Sequence, residues 1–220
     1  LQGLIVARTI EFNEDEALDK AMYLFWEKGF ARTSVRDLVE GTGVAHAGLY
    51  NVFKDKKGLF IKALEKYASE NDDNILLPLE QIESGKQTIE NLFDIAVDRA
   101  RTGIFKNGCF VVNSAAEFGE EDREVQQIVL RSFARQQKAF ENAISNGIAA
   151  GEIHPSIQVS ELAVFLVSAL NGLSAFMRCG SPIESIENTS KTVKMILQQS
   201  TPCHSILESN AFDNQDSASE

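Results

Sequence analysis

The residues with most to offer a partner lie between Thr33 and Leu59, in TSVRDLVEGTGVAHAGLYNVFKDKKGL. Two short apolar-periodic segments flank Gly41-Thr42-Gly43; Val35, Leu38 and Val39 mark the first, Val44, Leu49, Val52 and Phe53 the second. That is the pattern of two helices joined by a tight glycine-containing turn. Lys54-Asp55-Lys56-Lys57 follows at once. A helix-turn-helix beside a basic patch predicts a helix in the DNA major groove and lysines on the flanking phosphates. Cys109 is the second reactive group, in Gly108-Cys109-Phe110-Val111-Val112-Asn113 at the expected start of a short helix. A helix N-terminus favours the thiolate, the form that electrophiles and oxidants attack. The alternative is a small buried apolar residue, which free cysteines commonly are.

Catalysis and metal binding find no comparable pattern. There is no nucleophile elbow, phosphate-cradling glycine loop or His-Glu-x-x-His, so neither an enzyme nor a cofactor is expected. His46, His154 and His204 are scattered, and adjacent Cys203-His204 lacks the spacing of a closed metal site. Glu120-Glu121-Asp122 precede a long helix, where acids favour the N-terminus. Three cysteines give no disulfide framework, and a reducing cytoplasm is the default. The opening LQGLIVARTIEF is too short in its apolar part for a signal peptide. No run of about 18 apolar residues occurs, so no membrane partner is expected.

Charge is distributed unevenly. The net charge is −11, yet residues 32–62 carry Arg32, Arg36, Lys54, Lys56, Lys57 and Lys62 against Asp37, Glu40 and Asp55, a net of +3. The remainder carries −14. An acidic body with a locally positive head suits a protein that touches DNA through one patch only.

Helical periodicity supplies the elements that must position these residues, and strand alternation is nearly absent. Asn13 caps a first helix, with Glu16 placed to reach back to the cap amide, and Gly29 ends it. Thr33 or Ser34 caps the second; a third runs from Ala45 to Val52. A fourth is expected from Asp55 to about Ile75, with Pro78 breaking it or kinking it late. Helices then follow at about Thr88–Phe105, Phe110–Phe118, Asp122–Ala150, Val159–Arg178 and Ile183–Gln199. The fold class is all-α: an N-terminal three-helix helix-turn-helix domain and a larger C-terminal bundle, about nine helices in all. The domain limits read as 1–57 for the head and 58–200 for the ligand-binding and dimerisation body. Residues 201–220, acidic and without Lys or Arg, read as a disordered tail.

Asn13 to Phe60, 48 of 220 residues, resembles the N-terminal domain of the TetR/AcrR family of one-component repressors. Ala17-Leu18, Ala21, Leu24-Phe25, Gly29-Phe30, Thr33-Ser34-Val35, Leu38, Gly43-Val44, Leu49-Tyr50, Phe53 and Lys56-Lys57-Gly58-Leu59 carry the resemblance. It implies phosphate contacts from Thr33, Ser34, Tyr50 and Lys56, with Lys54 beside them. It also implies base reading from Ala45, His46, Ala47, Gly48 and Asn51. Ala45 and Gly48 depart from the hydroxyl residues frequent there, so His46 and Asn51 carry most of the direct readout, and an alanine can touch a thymine methyl. Arg36 is placed for a base edge or a phosphate.

The resemblance further implies an inducer site between the body helices. Cys109, Phe110, Asn113, Phe93, Tyr67 and Phe133 are its candidates, with Arg99 or Arg101 as polar fixtures. Other body rings, Phe105, Phe118, Phe140 and Phe176, read as core. The Gly-Cys-Phe-x-x-Asn stretch resembles a branch that contains electrophile- and oxidant-sensing repressors. Broad apolar faces on the last two helices, Leu162, Phe165, Leu166, Ala169, Leu170 and Leu173, then Ile186, Val193, Ile196 and Leu197, predict a two-fold four-helix interface. The reading is a homodimeric regulator of operator DNA, a repressor released by a small-molecule inducer. The alternatives are a thiol sensor acting through Cys109 and a ligand-binding helical protein with a vestigial head.

Overall fold

The computed structural model describes residues 12–80, 84–103 and 106–199. Among the described residues there are nine helices and no strand: α1 (Glu14–Lys28), α2 (Val35–Thr42), α3 (His46–Phe53), α4 (Lys56–Glu80), α5 (Gly85–Thr102), α6 (Phe110–Phe118), α7 (Arg123–Ala149), α8 (Val159–Arg178) and α9 (Ile183–Gln199). The expected tail, residues 201–220, and the opening stretch to Glu11 lie outside the described residues, as does Phe105.

Local chemistry sets the helix ends. Asn13 accepts the Glu16 amide at 3.2 Å. The Glu16 carboxylate does not return the bond; it pairs with Lys20 one turn on, at 2.7 Å. Ser34 makes the full reciprocal cap of α2: its hydroxyl accepts the Asp37 amide, and the Asp37 carboxylate accepts the Ser34 amide at 2.7 Å. Asp122 caps α7 through the amides of Glu124 and Val125. Helix α4 runs past Pro78 to Glu80, because a proline this near a helix end removes only one late hydrogen bond. Helix α5 starts three residues before Thr88, since Ser84 supplies the cap, and stops at left-handed Gly103. Gly85 seats that helix on α7: a Cβ there would stand 1.9 Å from the Ala143 carbonyl oxygen.

Two buried clusters divide the protein differently from the expected limits. One joins α1–α3 to the first half of α4, to Cys109, Phe110 and Val111, and to Val125, Ile128 and Val129 of α7. Phe60, fully buried, is its centre, with the rings of Phe25, Phe30, Phe110 and Phe118 all within 5.1–5.4 Å. The boundary at 57/58 therefore crosses continuous packing. The other cluster holds α5, the second half of α7, α8 and α9. Helix α8 is long and apolar enough to cross a membrane by length and composition, which counting uninterrupted apolar residues did not register. Its Ala163, Leu166 and Leu173 are packed inside the body cluster.

Candidate nucleic-acid interface

The turn between α2 and α3 is built by Gly43, left-handed at φ +74°, and by Thr42, whose hydroxyl donates to the Leu38 carbonyl at 2.6 Å. Leu38, Leu49 and Phe53 point inward and are buried. Helix α3 is thereby fixed with Ala45, His46, Ala47 and Asn51 exposed along its outer face. His46 lies edge-on to Tyr50, ring centroids 4.5 Å apart. Gly48 is half-buried at the inner margin, where a Cβ would meet Val44 at 3.1 Å and Phe12 at 3.5 Å. The missing side chain therefore reflects packing space.

The expected phosphate anchors fall into different situations. Thr33 is fully buried and its hydroxyl donates to the Gly29 carbonyl at 2.6 Å, so it offers no side-chain contact to DNA. The hydroxyl is consumed by the turn that Gly29 makes. Ser34 is exposed at the α2 cap. The Tyr50 hydroxyl is buried with no hydrogen-bond partner. Burial first, then the charge of Asp55, raises its pKa, so it stays a donor at neutral pH. Lys56 holds its ammonium 4.3 Å over the Phe30 ring. Burial lowers its pKa against the pull of Glu117 and Asp37. Lys54, exposed, ends α3 at φ +69°. Arg36 is exposed and pairs with Glu40 at 2.7 Å, a surface pair that DNA can displace. Lys57 turns away, pairing with Asp122 and lying 4.2 Å over Phe118, and so ties head to body.

Further ties come from residues that sequence reasoning did not single out. The Glu117 carboxylate, near the end of α6, accepts the amides of Phe30 at 2.9 Å and Ala31 at 2.7 Å. Gly29 makes room for it: its φ is +82°, and a Cβ there would lie 2.9 Å from Glu117 Oε2. The Trp26 indole donates to the Gly108 carbonyl at 3.0 Å. Arg178 donates to the carbonyls of Trp26 and Asn107 at 3.1 and 2.9 Å. These contacts span some 70 to 150 residues of chain, so no local pattern announces them.

In the body, a cavity of about 50 Å³ opens between α4, α5, α6 and α8. Of the expected ligand residues, Tyr67 and Cys109 stand in its wall, with Arg99. Phe93 and Phe110 are fully buried core residues, and Phe133 packs against the head cluster. Asn113 lines an outer cleft between head and body instead, and its amide donates to the Asn107 carbonyl at 2.9 Å. Arg101 is at the surface, paired with Glu187 at 2.6 Å.

The expected dimer face needs correction in most of its members. Leu162, Leu166, Leu173, Val193 and Leu197 are buried in the subunit's own core, where α8 and α9 pack with α5 and α7. Ala169 and Ile196 are partly buried there too. Phe165 is exposed, as are Val164 and Phe176 on α8 and Met195 on α9.

Comparison with known proteins places both halves. Residues 17–63 match the family described as bacterial regulatory proteins, tetR family, and residues 85–192 match the tetracyclin repressor-like C-terminal domain. The HTH-type transcriptional repressor ComR of Escherichia coli (strain K12) is 30% identical over 179 residues, covering 80% of this chain and 84% of ComR. BdcR of the same organism, also an HTH-type transcriptional repressor, is 26% identical over 203 residues, 90% and 98% of the two chains. A cysteine-substituted form of the regulator CifR, complexed with 26-base-pair double-strand operator DNA, superposes with a TM-score of 0.75 at 26% identity, covering 84% of this chain and 96% of CifR.

Proposed function

Because the chain belongs to the TetR family of bacterial regulatory proteins, we propose that it is a homodimeric repressor that grips operator DNA through α3 and releases it when a small molecule enters the body. The carrying observation is the outer face of α3: Ala45, His46, Ala47 and Asn51 stand free of the fold, rimmed by Lys54 and Lys56, on an otherwise acidic protein. The repressor relatives and the operator-bound CifR support that reading.

A dimer follows from need and from surface. One head presents too few base contacts for an operator, whereas two heads spaced about one DNA turn, ~34 Å, read successive major grooves. Val164, Phe165 and Phe176 line the exposed side of α8 opposite its buried residues, with Met195 exposed on α9. A helix apolar on both sides in this way suits a place between its own core and a second subunit. Control then runs along α6, whose N-cap Cys109 stands in the cavity wall and whose Glu117 clasps the α1–α2 turn. A ligand that favours a displaced α6 shifts the dimer toward a head spacing that no longer fits DNA.

Gel shifts with upstream DNA test the reading: Asn51→Ala should lose preference for operator over random DNA. Phe165→Glu with Phe176→Glu should sediment as a monomer and lose operator binding. A wild-type protein that ignores its upstream DNA would refute it. A second reading is favoured by Cys109 in the cavity wall: modification of its thiol would add bulk between packed helices. An alkylating agent should then abolish operator binding by the native protein but not by Cys109→Ser, while Cys179→Ser with Cys203→Ser stays sensitive.

A further inference from the structure

Only Lys54 and Asp55 stand between α3 and α4. The Asp55 amide donates to the Phe53 carbonyl at 2.9 Å, straddling Lys54, whose φ is +69° and ψ −60°. That bond and those angles make a γ-turn of the rare, strained hand. Lys54 is the one non-glycine residue with positive φ among the described residues. Its own side chain is exposed, so burial of that side chain does not offset the strain. Such conformations persist where the surroundings over-determine them, and they cluster at functional positions. Here the surroundings act from both sides. The Lys54 amide closes the last turn of α3 on the Tyr50 carbonyl at 3.0 Å. Asp55 opens α4: its carboxylate accepts the Gly58 amide at 2.7 Å and its carbonyl accepts the Leu59 amide at 3.1 Å. Gly58 leaves room for the Phe53 carbonyl, which a Cβ would strike. Phe53 before the joint, and Leu59 and Phe60 after it, are buried in the head cluster.

We propose that Lys54 is a positioning residue: its strained turn holds α3 at one angle to α4, so that the outer face of α3 is aimed before DNA arrives. The proposal rests on the preceding reading that α3 contacts the operator. Its basis is conformational entropy. A Cβ at these angles leaves a narrow well bounded by clashes, whereas glycine has a broad one. A joint free to turn would have to be fixed at each binding event, at the cost of ordering one residue's backbone. Random DNA is gripped through its phosphates and sets no such demand on the aim of α3. The turn therefore acts on preference for operator over random DNA, while the Lys54 ammonium acts on both alike.

The test compares Lys54→Ala with Lys54→Gly in the full-length protein. Both lose the same ammonium, and only glycine relaxes the turn. At equal protein concentration, Lys54→Gly should unfold at a urea midpoint about 0.5 M above that of Lys54→Ala, because the strain is gone. Without DNA, NMR order parameters at Asp55 and along α3 should be lower in Lys54→Gly than in Lys54→Ala. In gel shifts the two variants should bind random DNA equally. The operator-to-random ratio of Lys54→Gly should fall about tenfold per head below that of Lys54→Ala, the scale of fixing one residue's backbone. Equal ratios in the two variants would overturn the proposal. So would a Lys54→Gly midpoint at or below that of Lys54→Ala, or equal order parameters at Asp55. A wild-type protein that prefers no upstream sequence to random DNA would sink the reading of α3 instead, and the midpoints and order parameters would still decide whether Lys54 holds the joint.

Discussion

Replacing Glu117 with alanine isolates the tie between reading head and body. The carboxylate accepts two amides of the α1–α2 turn, at 2.9 and 2.7 Å, across 86 or more residues of chain. Bonds to an ionised acceptor contribute about 1.5–3 kcal/mol each when buried. Here the groups are exposed, so water takes over the freed amides and the value falls below that range, to about 1 kcal/mol per bond. The turn should therefore lose about 2 kcal/mol of docking, roughly a thirtyfold rise in local opening. Amide hydrogen exchange followed by NMR reads this directly. Phe30 and Ala31 should exchange some thirtyfold faster in Glu117→Ala, while Leu64 in the core keeps its protection. Glu117→Gln keeps one acceptor oxygen without charge and should fall between. Operator affinity should drop in the same order, since the turn carries Ser34 and α2. Unchanged exchange at Phe30 and Ala31 in Glu117→Ala would refute the argument, because the amides would then owe their protection to the head alone.

Four other outcomes follow from the geometry. Lys56→Ala should weaken operator and random DNA alike and lower the salt slope by about one unit; an unchanged slope in filter binding would remove Lys56 from the phosphates. His46→Ala or Asn51→Ala should cost on the order of 1–3 kcal/mol on operator DNA and little on random DNA, and retained preference in both would move readout to DNA shape. Phe60→Ala should lower stability by about 3–5 kcal/mol in denaturant titration, since the ring is fully buried among four others; a loss below about 1 kcal/mol would mean that the joint is not well packed. The Asp37 carboxyl is held far below its ordinary value of 3.8 by Lys28 first and then Ser34, so its contribution is present above that value and drains away as pH falls beneath it. Thermal melts between pH 5 and 2 should thus fall more steeply for wild type than for Asp37→Asn; parallel curves would contradict the assignment.

The helix ends and the reading head were legible because their determinants are local. Asn13, Ser34 and Asp122 cap amides two or three residues away, Gly43 supplies a left-handed turn, and Leu38, Leu49 and Phe53 repeat at helical spacing. The exposed outer face of α3 then follows from its buried one. Tertiary structure decided which of several apolar stripes became core. Leu162 and Phe165 read alike in sequence, yet one is buried in the body core and the other exposed, because a helix apolar all round gives no direction. It also decided that Thr33 is enclosed while Tyr50 keeps an unsatisfied hydroxyl, and that Glu117 holds a turn more than eighty residues away. Such facts depend on which distant segments meet, and side-chain periodicity within one helix carries no information about its partner.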